Sequence, residues 1–362
     1  MATQRGATTT FRLAALVGLV AIAIAACGSG APSPTPTVEG SQTASSVSAG
    51  ASPSGAGATT INSAVASQLP MPTLPSPATM PSGKVIAWGD NSQGQAKVPA
   101  GLTGVVAVSA GDQFSLALKS TGTVVGWGND ESGQIDIPAG LSGVVAISGG
   151  GQHSLALKSD GTVVGWGDNT DGQATTPAGL SNVVGISAAG QHSLALKSDG
   201  TVMAWGGNAN GESDVPSGLS GVVAVSAGND FSLALESNGT VVALGDKFPT
   251  DVSTGVATVP AGLSGVKVIC AGYANNLVIK SDGSVVGWGA DEEGETDVPN
   301  SASGVTAVAA GGSFSVALKS DGTVVAWGAD DQNQTNVPAG TTGVVAIDAG
   351  ATHALAIARQ AS

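Results

Sequence analysis

The sequence predicts an all-β chain, a closed ring of seven small sheets behind an unstructured N-terminal stretch. Three observations predict it. A Trp-Gly pair recurs at Trp88, Trp127, Trp166, Trp205, Trp288 and Trp327, with Leu244-Gly245 in the gap. The spacings are 39, 39, 39, 39, 44 and 39 residues, and a period near 40 with several strands per unit is the sequence mark of a propeller. Finally, 55 of the 362 residues are Gly, which suits many tight turns and penalises long helices.

The chain opens with Arg5 and Arg12, then an apolar run from Leu13 to Ala26. That run is short for a membrane span and suits the core of a signal peptide. It ends Ile24-Ala25-Ala26-Cys27, which resembles a bacterial lipoprotein signal. The resemblance implies removal of residues 1–26, a lipid on Cys27, and a place outside the cytoplasm at the cell membrane or surface. Residues 27–83 are rich in Ser, Pro, Thr, Ala and Gly with almost no charge. Such a stretch buries too little apolar surface to order itself and reads as a disordered tether.

The repeats occupy 84–358. In the unit from Val105, Val105-Val106-Ala107-Val108 is a first β-rich run, and Gly111-Asp112-Gln113 breaks it. Phe114 to Lys119 alternates large and small residues, and Thr123 to Trp127 is a third run. A polar loop and a short fourth run ending at Ile137-Pro138 complete the unit. The second and third runs are joined by Thr121-Gly122, Asp160-Gly161, Asp199-Gly200, Asn238-Gly239, Asp282-Gly283 and Asp321-Gly322, dipeptides that suit a two-residue type I′ hairpin. The first unit carries only its third and fourth runs and the last only its first and second. Pairing the two ends in one blade gives a seven-bladed β-propeller without free edges.

These repeats resemble the regulator of chromosome condensation repeat family, in the short-repeat bacterial form typified by β-lactamase inhibitory protein II. The carriers are Val324 to Gly328, Gly89 to Gln95, Val98 to Ala100, Ser142 to Val144 and His153 to Lys158. The resemblance implies a partner surface on the two residues before each His or Phe position. The candidate contacts are Asp112, Gln113, Gln152, Gln191, Asn229, Asp230, Tyr273, Ser313 and Thr352. Phe248, in the irregular insertion after Leu244, joins them. A β-lactamase inhibitor or a binder of cell-wall transpeptidases is the alternative reading.

Because strands alternate in direction, these loops share a face with the loops after the third run, which are rich in Asp and Glu. That face is a candidate steering field for a basic partner. The net charge of −14 disfavours nucleic acid. His153, His192 and His353 share a position that elsewhere holds Phe, and read as packing residues. Cys270 stands where other units carry Ser, Ala or Asp, and reads as a small buried residue. No metal site, cofactor site or catalytic constellation is expected. The chain reads as a monomeric, non-catalytic module that binds a protein or glycan and touches the membrane only through its lipid.

Overall fold

The computed structural model describes residues 76–245 and 255–359. It contains 21 strands in seven three-stranded antiparallel sheets, arranged as the blades of a propeller. In the blade spanning 105–128, the inner strand is Val105–Ala110, the middle strand Phe114–Lys119 and the outer strand Val124–Gly128. Five more blades span 144–167, 183–206, 222–245, 266–289 and 305–328. The seventh is composite. Its inner and middle strands are Val344–Ala349 and His353–Ala358, and its outer strand is Lys84–Gly89, from the other end of the chain. Lys84 pairs Ala358 and Gly89 pairs His353, so the N- and C-terminal strands close the ring as expected.

Alternation builds the core. Along Phe114–Lys119, Phe114, Leu116 and Leu118 pack on Val144, Ile147 and Trp166 of the next blade. Ala117 faces backwards with Trp127, against Leu355 and Ile357 of the preceding blade. Large faces small at each blade interface, so both faces of a sheet are buried. Phe114, Phe231 and Phe314 are wholly buried, and each contributes on the order of 2–3 kcal/mol through the water it sheds. Every inner strand carries one register shift near its start, as between Val105 and Ala107 or Val222 and Ala224, an irregularity that increases the local twist of a strand.

Three local expectations are corrected. First, the hairpins are not two-residue type I′ turns. Lys158 N–H bonds Thr162 O at 2.9 Å and Gly161 N–H bonds Lys158 O at 2.9 Å. This is a three-residue loop, a type I turn closed by a left-handed glycine. Gly161 has φ +77°, while Asn182 and Asn333 are the only non-glycine positive-φ residues described. Asp160 is there for its side chain: Oδ1 accepts both the N–H and the hydroxyl of Thr162.

Second, the fourth run is not a strand. Ile135 lies flat on the outer strand, so close that a Cβ on Gly126 would sit 2.7 Å from Ile135 Cβ. Asp130 Oδ1 and the carbonyls of Gly133 and Ile135 take the backbone N–H groups of 135–137, leaving none for a ladder. Third, folded structure begins before Lys84. A 3₁₀ turn at Pro77–Thr79 buries Pro77, Met80 packs on the core around Phe114, and Gly83 N–H bonds Val105 O at 2.9 Å. Residues 1–26, the rest of the expected tether with Cys27, and Phe248 lie outside the described residues. Among the described residues no helix is long and apolar enough to cross a membrane.

Candidate functional site: the loop face and its supports

The loops after the inner strands and those after the outer strands share one face, as strand direction requires. Their backbones are tied together: Gln113 O accepts Asn129 N–H at 2.9 Å, Gln152 O accepts Asp168 N–H at 2.8 Å, and Thr352 O accepts Asp90 N–H at 2.9 Å. The same bond runs from Gly207 to Gln191, from Ala290 to Ala274 and from Ala329 to Ser313.

Six outer loops are folded around one buried amide or carboxylate whose role sequence reading missed. Gln95 is fully buried; its Oε1 accepts Gln93 N–H and its Nε2 donates to Asp90 Oδ2 at 2.8 Å. Gln134, Gln173 and Gln334 repeat the arrangement, and Glu212 and Glu295 accept the equivalent N–H. The carbonyl of this residue also anchors the next blade. Trp127 Nε1 donates to Gln95 O at 2.8 Å and Ser115 Oγ donates to it at 2.9 Å. Trp166, Trp205 and Trp327 bind Gln134, Gln173 and Glu295 in the same way. The repeated Trp is thus a hydrogen-bonding anchor as well as core. Several acidic residues of this face serve their own loops: Asp90, Asp130, Asp168, Asp291 and Asp330 each accept a loop N–H.

The histidines also link blades. His353 Nε2 lies 2.9 Å from Ser115 Oγ, His153 Nε2 2.9 Å from Ser193 Oγ, and His192 Nε2 2.8 Å from Ser232 Oγ. Each serine already spends its proton on a carbonyl, so the histidine must donate. The rings are therefore neutral with the proton on Nε2, and each buried Nδ1 has no partner. Burial pushes the rings down to about 4 for His153 and His353 and about 3 for His192.

Around the central channel runs a second ring of bonds. Ser109 Oγ accepts Gly149 N–H, Ser148 Oγ accepts Ala188 N–H, Ser187 Oγ accepts Ala227 N–H, Ser226 Oγ accepts Ala271 N–H and Cys270 Sγ accepts Ala310 N–H. Ala309 has no acceptor to offer the next blade. There Asp348 does double duty: Oδ1 accepts Ala349 N–H at 3.0 Å and Oδ2 accepts Ala110 N–H at 2.9 Å. Burial pushes its carboxyl up to about 8 against the pull of these bonds.

The expected contact residues fall into two settings. Asp112, Asn229 and Tyr273 stand at the mouth of the central channel. Gln113, Gln152, Ser313 and Thr352, together with Asp112 and Tyr273, line a cavity of about 710 Å³ on the same face. Gln191 and Asp230 are exposed on that face but line neither cavity. Burial raises Asp112 to about 6. Tyr273, half exposed, is raised by burial and then by the charges of Asp112 and Asp230. The opposite face carries the exposed pairs Lys158–Asp160, Lys197–Asp199, Lys280–Asp282 and Lys319–Asp321 at 3.0–3.8 Å. Among the described residues no group of His, Cys, Asp and Glu is arranged to hold a metal ion.

The fold and this loop face define a seven-bladed β-propeller of the kind that presents a ring of loops to a partner. Four segments, 105–134, 144–173, 183–212 and 305–334, match the family model of the Regulator of chromosome condensation (RCC1) repeat, so the chain carries repeats of that family. Each match runs from an inner strand to the buried Gln or Glu of the outer loop. Prp20p from Saccharomyces cerevisiae is similar in structure, with a TM-score of 0.65, 16% identity, and coverage of 78% of this chain and 93% of that one. Human WBSCR16 follows with a TM-score of 0.60, 17% identity, and coverage of 77% and 99%. The ectodomain of the Physcomitrella patens receptor kinase CR4 is 25% identical, with a TM-score of 0.54 and coverage of 67% and 68%. No curated protein sequence matches the chain.

Proposed function

We propose that this protein is a non-catalytic binding module, held outside the cytoplasm by a lipid on Cys27, that captures a protein partner on its loop face. The observation that carries the reading is the loop ring itself. Exposed polar side chains at Gln113, Gln152, Gln191 and Ser313 stand on backbone fixed at both ends by strands and cross-braced by the outer loops. Such a surface is preorganised, so little ordering cost opposes association. Propellers of similar fold supply precedent: Prp20p binds Gsp1p and histones, and yeast RCC1 is seen bound to Kap60. The receptor-kinase relative is an ectodomain. Tyr273 is the one aromatic among the described ring residues, which makes the face polar and supports a protein-display role above tight enzyme inhibition, whose anchors are usually aromatic.

The test is photo-crosslinking in cells, with a photoreactive residue at Gln152 on the loop face or at Thr162 on the hairpin face. A discrete adduct from position 152 alone supports the reading; equal adducts from both positions, or none, remove it. Radiolabelled palmitate incorporated by the native chain and lost in Cys27→Ser supports the anchor, and label retained in that variant removes it.

A further inference from the structure

Asp112 combines burial with a carboxylate that no loop N–H reaches. Asp90, Asp130, Asp168, Asp291 and Asp330 each receive a loop N–H, whereas Asp112, largely buried, receives no hydrogen bond among the described residues and is shifted by burial alone. It stands at the mouth of the central channel, where four of the seven ring positions, Gly151, Gly190, Gly312 and Ala351, carry no polar side chain. The remaining two, Asn229 and Tyr273, line the same opening, and Asn229 Nδ2 donates to Asp230 Oδ2 at 2.8 Å. Tyr273 is half exposed, and its phenol feels the negative charge of both Asp112 and Asp230. The 710 Å³ cavity that leads to this point adds Glu293, Asp330 and Asp331, and no Lys, Arg or His lines it. The described ion-paired lysines lie on the opposite face.

A carboxylate without a donor, an exposed aromatic ring, neighbouring carboxylates and the absence of any lining base describe a receptor for one organic cation. We propose that the channel mouth receives a single arginine or lysine side chain of the protein partner, paired with Asp112 and stacked against Tyr273. This rests on the loop face being the partner surface and names what the partner presents there. Arginine suits the place better than lysine, because a planar guanidinium pairs with a carboxylate and lies on a ring face at once.

Tyr273 is the sole tyrosine of the chain, so a protein carrying ¹³C-labelled tyrosine reports this position through one set of ring signals. The experiment titrates the full chain at pH 7.5 and fixed ionic strength with argininamide, and in parallel with citrullinamide, in which a neutral urea replaces the guanidinium. The expected result is a saturable shift of the Tyr273 signals with argininamide in the millimolar range and none with citrullinamide. Asp112→Asn should weaken the response at least tenfold. Glu292→Gln, which removes an exposed charge from the same face, should leave it unchanged. No shift up to about 50 mM, an equal response to citrullinamide, or equal responses in Asp112→Asn and the parent overturns the proposal. Crosslinking from position 152 would stand in any of these cases, so failure of the cation site is distinguishable from failure of the partner face.

Discussion

At the scale of the residue, the repeated serine of the middle strand shows how identical residues come to have unequal worth. Ser115, Ser193 and Ser232 each donate to a loop carbonyl and accept from a histidine of the neighbouring blade. Ser154 donates to Gln134 O, but the equivalent residue of the blade before it is Phe114, which has nothing to donate. Replacing Ser115 by Ala strands the His353 N–H in the core, a loss of about 1–3 kcal/mol. Ser154→Ala strands no donor and should cost about 1 kcal/mol. Denaturant midpoints of the two variants measure the difference, and equal losses would show that the histidine bond contributes nothing.

The histidines also set an acid limit. Their folded pKa values, about 4, 3 and 4, lie below the ordinary 6.5. As pH falls below 6.5 the unfolded chain takes up protons that the folded chain refuses, so stability declines from there towards pH 4. A triple His→Phe variant, copying Phe114, Phe231 and Phe314, should flatten that decline in thermal melts taken between pH 7 and 4. An unchanged slope would assign the acid loss to other groups. The sequence alone reads these histidines as packing positions, and the structure buries all three. The bonds of His153 and His192 to serines 40 residues away, and of His353 to Ser115 across the closure of the ring, were not legible, because only the stacking of neighbouring blades brings the partners together.

At the scale of the element, repeat number, strand order and closure were legible because alternation and period are properties of sequence. Turn type and the fourth run were not. Asp-Gly serves two kinds of hairpin, and the choice here follows from Asp160 bonding Thr162 instead of adopting positive φ. Ile135-Asp136-Ile137 alternates like a strand, yet its apolar side chains are satisfied against Gly126 and the Phe114 core. The buried Gln95 escaped notice because a polar side chain in a polar loop gives no periodic signal.

The inner ring of acceptors was equally hidden, and it yields a prediction of its own. Asp348→Ser keeps an acceptor for Ala110 N–H but deserts Ala349 N–H, because Ala309 offers none; the expected loss is about 1–3 kcal/mol. Adding Ala309→Ser should recover most of it by restoring the pattern of Ser148 and Ser187. The pH dependence follows from the raised folded pKa of Asp348, about 8 against 3.8 unfolded. Its contribution is fully present below pH 3.8 and is lost as pH rises through 8. The double variant should therefore lose less stability than the parent between pH 6 and 9, as read from denaturant midpoints. Identical losses would mean that Asp348 does not titrate in this way.

At the scale of the whole molecule, one strand holds the ring. Lys84–Gly89 pairs with His353–Ala358 across the full length of both, buries Val85 and Trp88, and sends Trp88 Nε1 to Gln334 O at 2.9 Å. Gly83 then reaches past its own blade to Val105. A chain that begins at Asp90 would leave the middle strand of the seventh blade as an open edge, with its apolar side chains uncovered. Burial of Val85 and Trp88 alone is worth roughly 3–6 kcal/mol, a large part of the 5–15 kcal/mol by which a domain is usually stable. Two results are expected of the shortened chain: a lower midpoint of denaturation, and self-association through the free edge, seen by light scattering. A synthetic peptide of residues 76–91 supplied in trans should reverse both, since it carries the missing strand, its tryptophan and the Gly83 bridge, and strand addition to an exposed edge needs no other chemistry. If the shortened chain proved as stable and as monodisperse as the parent, the composite blade would be an accident of topology, and the ring would be held by its six continuous blades and the bonds between them.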